Sequence, residues 1–165
     1  MSIGRERLDT AAWIVGFTDG EGCFSVSLFR NKTTKSGWQV FPEFVITQGE
    51  KSKAALEIFQ EYFGCGKIYI NKRYDNHHEH LCRYCVRTIS ELNSEIIPFF
   101  KSHSLLTAKQ HDFEFFAEIV QMLIEKKHMD DSGLRSIAKL IEKMNRKKAS
   151  KYLESLETKR HLQSD

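Results

Sequence analysis

Residues 14–22 of the sequence read Ile-Val-Gly-Phe-Thr-Asp-Gly-Glu-Gly. The apolar first half continues a stretch that begins at Ala11, and together they predict a helix that is apolar nearly all round and therefore buried on more than one side. Asp9 or Thr10 is expected to cap the start of this helix. Residues 19–22 are expected to end it, because they tolerate unusual backbone angles. The run thus places two carboxylates just past the end of a buried helix.

Four segments farther along the chain alternate apolar and polar residues with period two, which predicts β-strands paired as two hairpins. We expect these strands over residues 24–30, 38–47, 67–74 and 81–88. Pro42 in the second strand implies an edge position or a bulge. Helices are expected over residues 52–63, 90–100 (broken near Pro98), 109–125, 134–144 and 150–156. The order αββαββα with added C-terminal helices predicts an α+β fold in which helices cover one face of an antiparallel sheet.

The length of 165 residues predicts a single domain over 1–165, with a core over about 8–125 and a helical extension over about 130–165. With 41% hydrophobic residues and only 2 prolines, the chain is neither disordered nor of low complexity. No apolar run reaches 18 residues, and no small-residue cleavage site follows residues 11–17, so neither a spanning helix nor a signal peptide is expected. We therefore expect a soluble, intracellular protein that acts where it is made.

The formal net charge is only +3, but the charge is sorted along the chain. Residues 65–90 hold five basic and two acidic side chains, and residues 139–151 hold six basic and one acidic. Between them, residues 111–131 hold six acids and two lysines. This distribution indicates a positive surface on some elements and a solvated acidic face on another.

Alternation also assigns the two faces of the predicted sheet. Phe24, Val26 and Leu28 are expected to point to the core, as are the apolar residues of the other strands, including Ile70. The opposite face is expected to carry Ser25, Ser27, Phe29, Gln39, Phe41, Glu43, Val45, Lys67, Tyr69, Asn71, Arg73, Arg83, Cys85 and Arg87, with Asn31 beginning the first hairpin turn. A polar face can simply face water. Its donors, acceptors and exposed aromatic rings favour the reading of base edges in DNA instead.

The run at residues 14–22, the alternating strand after it and the order of elements over about 8–125 together resemble the LAGLIDADG homing endonucleases. The resemblance implies that Glu21 binds a divalent metal with the carbonyl of Gly20 beside it, and that Asp19 is mainly structural. It places the polar residue that orients an attacking water on Gln48, after the second strand. It places the active-site lysine on Lys109.

The same resemblance implies a Mg²⁺-dependent, site-specific endonuclease that cuts both strands of a long, near-palindromic DNA target. Mn²⁺ is expected to substitute for Mg²⁺, and Ca²⁺ to support binding without cleavage. One motif copy per chain implies a homodimer in which Ala12 and Gly16 let two motif helices approach closely, although Val15 replaces a small alanine of the family's motif. Arg146, Lys147 and Lys148 are expected to contact DNA phosphates.

Other interpretations of the same residues remain. On the same fold, the chain could be an intron-splicing maturase that binds RNA or a DNA-binding regulator that does not cleave; a helical interaction protein is disfavoured by the sorted charge. A calcium loop starting at Asp19 fails, because its fifth and twelfth positions are Cys23 and Arg30. A zinc site at Cys82 and Cys85 with the nearby histidines is disfavoured, because strand residues three apart point to opposite faces.

Overall fold

The computed structural model describes residues 9–72, 79–144 and 151–161. Its helices and strands, in chain order, are α1 (Thr10–Glu21), β1 (Gly22–Arg30), β2 (Trp38–Gly49), α2 (Lys53–Phe63), β3 (Lys67–Asn71), β4 (Leu81–Val86), α3 (Ile89–Glu91), α4 (Ile97–Ser102), α5 (Lys109–Ile124), α6 (Asp131–Lys143) and α7 (Lys151–His161). The predicted α+β class and the order αββαββα are confirmed.

The four strands form one antiparallel sheet in the order β1-β2-β4-β3. Strand β2 is therefore central in the order of strands, but Pro42 lies in a part of it that is locally an edge, as expected. Strand β4 pairs with β2 only over the part from Phe44 to Gly49. Pro42 lies before that part, opposite Val26 of β1, so it requires no ladder partner on its other side.

Helix α1 is longer than predicted, because it continues through Asp19 and Gly20 and ends at Glu21. Asp9 caps its start as expected, with its Oδ1 accepting from the backbone N–H groups of Ala11 at 3.0 Å and Ala12 at 3.2 Å. Gly22 follows in extended backbone, and the position requires glycine for space rather than for unusual angles, since a Cβ there would lie 2.6 Å from Cγ2 of Thr18. The chain thus passes from helix to strand in one residue, directly after Glu21.

The helices pack on one face of the sheet. Phe24 of β1 meets the rings of Phe44, Phe100 and Phe116 at centroid distances of 5.0, 5.2 and 5.4 Å. The predicted inward faces of β1 and β2 are confirmed. Ile70, which was expected in the core, is 48% exposed, because β3 is the edge strand and its end extends beyond the covering helices.

The C-terminal half follows the predicted helices with different boundaries. The segment from residue 89 to residue 102 is not broken at Pro98, because a π-helical stretch, Leu92–Ile96, joins α3 to α4 and Pro98 lies in the first turn of α4. Asp130 caps α6, which therefore begins three residues earlier than expected. In the described ranges, none of the helices has the length and apolar character needed to cross a membrane.

Candidate active site

Two reciprocal contacts join the end of α1 to the start of α5. The carboxylate of Asp19 accepts hydrogen bonds from the backbone N–H groups of Leu106 (2.8 Å) and Thr107 (3.2 Å) and from the Thr107 hydroxyl (2.7 Å). In return, Nζ of Lys109 donates to the carbonyl of Thr18 at 2.8 Å and to that of Asp19 at 3.0 Å. An anion thus meets the N-terminal entry of α5 and a cation meets the C-terminal carbonyls of α1, as the two helix dipoles favour.

The electrostatic balance at Asp19 favours its ionised form. Burial by itself raises the pKa of this carboxyl, but the hydrogen bonds from Leu106 and Thr107, together with the charge of Lys109, lower it below its usual value of 3.8. The structural role expected for Asp19 is therefore to hold the end of α1 against the start of α5, although the two helices are distant in sequence.

Asp19→Asn is expected to destabilise the fold by roughly 1 kcal/mol at neutral pH, because the amide group cannot accept all three hydrogen bonds. The lowered pKa stabilises the fold above the unfolded-state value near 3.8, and this contribution is lost as pH falls through the folded-state value. Melting temperatures of wild type and variant, measured from pH 7 to pH 2.5, should therefore converge at the acidic end. The control is Glu61→Gln on the exposed surface of α2. If the difference in melting temperature between wild type and Asp19→Asn stayed constant over this pH range, Asp19 would not be held in its ionised form.

Glu21 is the last residue of α1 and is exposed, immediately before the sheet begins. The free carbonyl groups at a helix C-terminus carry a partial negative charge, and the open space around Gly20 leaves them approachable. A carboxylate beside such carbonyls is a donor set suited to Mg²⁺, which takes one or two carboxylates and completes its shell with waters and substrate phosphates. Within the described residues no group of three or more His, Cys, Asp or Glu side chains forms a ready-made cage. Glu21 and Gly20 therefore fit an ion that is completed by its substrate.

Gln48 lies inside β2 rather than after it, because the strand extends to Gly49. It pairs with Cys82 of β4 and is half-buried. Gly22 is opposite Ile46, so the end of α1 reaches the sheet two residues from Gln48. Glu21, Lys109 and Gln48 thus come from three elements that meet at the helix-to-strand junction.

The exposed side of α1 carries only small residues. Ala12, Gly16 and Gly20 are all exposed and follow one another at intervals of four, so they share one face of the helix. A Cβ atom built at Gly16 or Gly20 would meet nothing within 4 Å. This face is open in the single chain, as the expected close approach of a second motif helix requires.

The outer face of the sheet, defined as the side opposite the helices, displays most of the side chains predicted there. Residues that are half-exposed or exposed are Ser25, Ser27, Phe29, Gln39, Phe41, Lys67, Tyr69, Asn71, Arg83 and Arg87, with Asn31 at the start of the β1–β2 turn. Four predicted DNA contacts, namely Arg73, Arg146, Lys147 and Lys148, lie outside the described residues, as do two histidines of the second hairpin, His77 and His78.

Three residues assigned to the outer face are buried. Val45 is only 5% exposed, and two predicted DNA contacts, Cys85 and Glu43, are only 3% and 9% exposed. Cys85 lies in the middle of the sheet between β2 and β3, and Arg87 Nη2 lies 3.8 Å from its Sγ. Glu43 forms ion pairs with both Arg83 and Arg87. The prediction that these two side chains touch DNA directly is therefore corrected, because neighbouring side chains cover them.

The β1–β2 turn is ordered by its own side chains. Nδ2 of Asn31 donates to Oε1 of Gln39 at 2.6 Å, while Oδ1 of Asn31 accepts from the Thr33 hydroxyl at 2.7 Å. These two amides, both predicted to contact DNA, form one linked pair. The amide nitrogen of Gln39 is left to donate to another group.

The structure also argues against zinc at the two cysteines of β4. Cys82 and Cys85 are both buried, and they lie on opposite faces of the sheet. Burial raises the pKa of both thiols, which disfavours the thiolate form that binds zinc.

One contributor to this site was not predicted. Thr107 binds Asp19 through both its hydroxyl and its backbone N–H. In the sequence, only its position two residues before Lys109 pointed to this site. That position does not indicate that Thr107 binds a residue 88 positions away.

The comparisons with known proteins agree on one family. The model of the family described as "LAGLIDADG endonuclease" matches residues 14–120. Among curated proteins, "Probable intron-encoded endonuclease 2" of Neurospora crassa is 37% identical over 126 residues, which are 76% of this chain and 27% of that protein. The chain therefore spans only about a quarter of the length of this curated relative (27%).

Two solved structures are similar over most of the chain. The homing endonuclease I-TnaI is 35% identical with a TM-score of 0.77, and the match covers 90% of this chain and 96% of that one. The meganuclease I-SmaMI, solved bound to uncleavable DNA, is 28% identical with a TM-score of 0.78, and the match covers 87% of this chain but only 47% of that one.

Proposed function

This chain belongs to the LAGLIDADG endonuclease family, and on that premise we propose that it is an intron-encoded, site-specific DNA endonuclease of the homing type. It would hydrolyse one phosphodiester bond in each strand of a long, near-palindromic target. The observation that carries the proposal is the position of Glu21, an exposed carboxylate at the end of α1 with Lys109 bound to the same helix end. A protein that only bound DNA would have no need of a carboxylate facing the phosphates.

The outer face of the sheet supports DNA as the partner. It presents amides, hydroxyls, arginines and a lysine on one antiparallel surface, which are the groups that read base edges and neutralise phosphates. Lys67 and Tyr69 on β3 and Arg83 on β4 extend this surface to the far edge of the sheet. One relative of similar fold, I-SmaMI, is described as bound to DNA.

The residues of this chain divide the chemistry among them. Glu21 and the carbonyl of Gly20 would hold Mg²⁺, with Mn²⁺ as a substitute. The bound ion would polarise a phosphoryl oxygen and lower the pKa of a water. The amide of Gln48 can both donate and accept a hydrogen bond, so it would orient the attacking water.

Lys109 would place positive charge beside the phosphate. Its ammonium has three N–H donors, and two of them are used by the carbonyls of Thr18 and Asp19. Within the described part of the chain the third donor remains for a phosphate oxygen or a water, where it would offset the charge that develops during hydrolysis.

We further propose that the active enzyme is a homodimer. The match covers 96% of I-TnaI and 47% of I-SmaMI, so a structure of about this size stands beside one about twice as long, which is consistent with pairing of two chains of this size. The open face of α1 would provide the contact, and a C₂ pair would bring two Glu21 side chains together near the centre of the target. Each would serve one DNA strand.

Incubation with a plasmid library of candidate sites tests this function. We expect linear product in Mg²⁺ or Mn²⁺, and binding without cleavage in Ca²⁺ or after chelation with EDTA. Binding should weaken steeply with salt, because phosphate contacts release counterions. The control is the same assay with heat-denatured protein.

Binding that persists while no plasmid is cut under any metal would overturn the endonuclease proposal and leave a DNA-binding regulator. Tighter binding to the host-intron RNA than to any duplex would point to a splicing maturase instead.

A further inference from the structure

We propose that Glu43 is a positioning residue for sequence recognition, which holds the guanidinium group of Arg87 in one orientation so that its free edge reads a guanine in the major groove. This inference rests on the proposed DNA-binding function. It assigns to Glu43 a role other than the direct base contact that its place on the strand predicted.

The burial of Glu43 requires an explanation. In the described part of the chain it is the only buried residue among Asp, Glu, His, Lys and Arg, at 9% exposure. It lies on the outer face, where Ser25 opposite it on β1 and Phe41 on β2 remain half-exposed while Val45 is also buried. Burying a carboxylate is costly unless it is paired. Its two oxygens are taken by different arginines, Oε2 by Nε of Arg87 and Oε1 by Nη2 of Arg83 at 3.3 Å.

Stability is a weak explanation for such a buried ion pair, because apolar replacements of similar volume are often as stable or more so. What the pair does provide is geometry. Glu43 is on β2, Arg83 is on β4, and Arg87 directly follows β4, so one carboxylate fixes two side chains of the adjacent segment.

Arg87 is held from several sides. Its guanidinium carbon lies 5.0 Å from the ring centre of Tyr69 and 5.8 Å from that of Phe41. Nε is bound to Glu43, and Nη2 contacts Cys85 from the sheet side at 3.8 Å. The side chain is nevertheless 37% exposed. The outward part of the guanidinium is therefore open, while its position is fixed by a carboxylate and two rings.

A fixed guanidinium fork suits a guanine better than a phosphate. Arginine binds O6 and N7 of guanine with two parallel hydrogen bonds, and this contact requires a defined direction. A phosphate can also accept two hydrogen bonds from this fork, but such a contact carries no sequence information. Glu43 cancels the charge of one of its two arginines, which weakens non-specific attraction to the DNA backbone while it improves direction.

Selection from a pool of randomised 30-base-pair duplexes in Ca²⁺ tests the inference. Wild type is expected to enrich sites with guanine at one position in each half-site. Arg87→Gln should lose that guanine, and Glu43→Gln should weaken the preference at the same position by about tenfold. Affinity of Glu43→Gln for random duplex should rise, with a salt slope steeper by about one, because one more positive charge is left uncompensated.

Two controls separate positioning from general damage. Glu57→Gln is an equally conservative change at an exposed glutamate paired with Lys53 on α2, and it should leave the selected sites unchanged. In the Arg87→Gln background, Glu43→Gln should have no further effect at that guanine. If Glu43→Gln fails to fold, Phe41→Leu removes one of the two rings beside Arg87 and should weaken the preference for guanine at the same position.

An unchanged guanine preference in Glu43→Gln would overturn the inference. An equal loss of affinity for all sequences would also overturn it, because that result would mean that Glu43 only stabilises the structure. A wild-type protein that binds no duplex would instead overturn the proposed function itself. The two failures are therefore distinguishable.

Discussion

Glu21→Gln is expected to abolish strand cleavage while DNA binding in Ca²⁺ stays close to that of wild type. The amide keeps the size of the side chain but removes the negative charge, so it binds a divalent cation poorly. Loss of a group that stabilises transition-state charge costs about a hundredfold to a thousandfold in rate, and loss of the ion should cost more. Because Glu21 is exposed, the change should leave the fold intact.

Single-turnover cleavage of a selected site measures the rate, and a gel-shift titration in Ca²⁺ measures binding. Glu61→Gln, another exposed helical glutamate, serves as the control and should cut like wild type. If the Glu21 variant loses binding as well, the residue is architectural. If it cuts at the wild-type rate, another acid holds the ion.

Gly16→Leu is expected to convert the protein to a monomer and to suppress double-strand cleavage by at least about a hundredfold. In the single chain a Cβ at position 16 would meet nothing within 4 Å, and leucine favours a helix over glycine by roughly 1 kcal/mol, so the protomer itself should be slightly stabilised. In a dimer built on the open face of α1, the same side chain would keep the two helices apart.

Sedimentation equilibrium reports the mass, thermal melting reports the stability of the protomer, and conversion of supercoiled plasmid reports cutting. Ser136→Leu adds the same bulk to an exposed position on α6 and should leave the mass unchanged. A Gly16 variant that remains dimeric and cuts normally would exclude this face as the interface.

Local sequence pattern was sufficient to predict most of the fold. Alternation located all four strands, and the apolar period of three to four residues located α2 and α5. The errors lie where neighbours in space override local preference. Gly20 continues a helix that the sequence predicted to have ended, and the chain becomes extended only at Gly22. Ile70 alternates inward, but the helix layer does not extend to it.

The candidate site divides in the same way. Glu21, Gln48 and Lys109 were identified by resemblance to a family, and the structure brings the elements that carry them to one junction. The pairing of Asp19 with Thr107 and the burial of Glu43 beneath Arg87 were not predicted. Alternation assigns a side chain to a face of the sheet, but it does not indicate what lies over that side chain.

The amino-acid pattern therefore established the class of fold, the motif with its acidic residue and the polar character of one face of the sheet. Each of these depends on residues within a few positions of one another, where helix and strand periods act. Only the tertiary structure established which groups are paired and which remain free. Asp19 meets Thr107 across 88 positions and Glu43 meets Arg87 across 44, and hydrogen bonds over such separations form only after packing brings distant segments together.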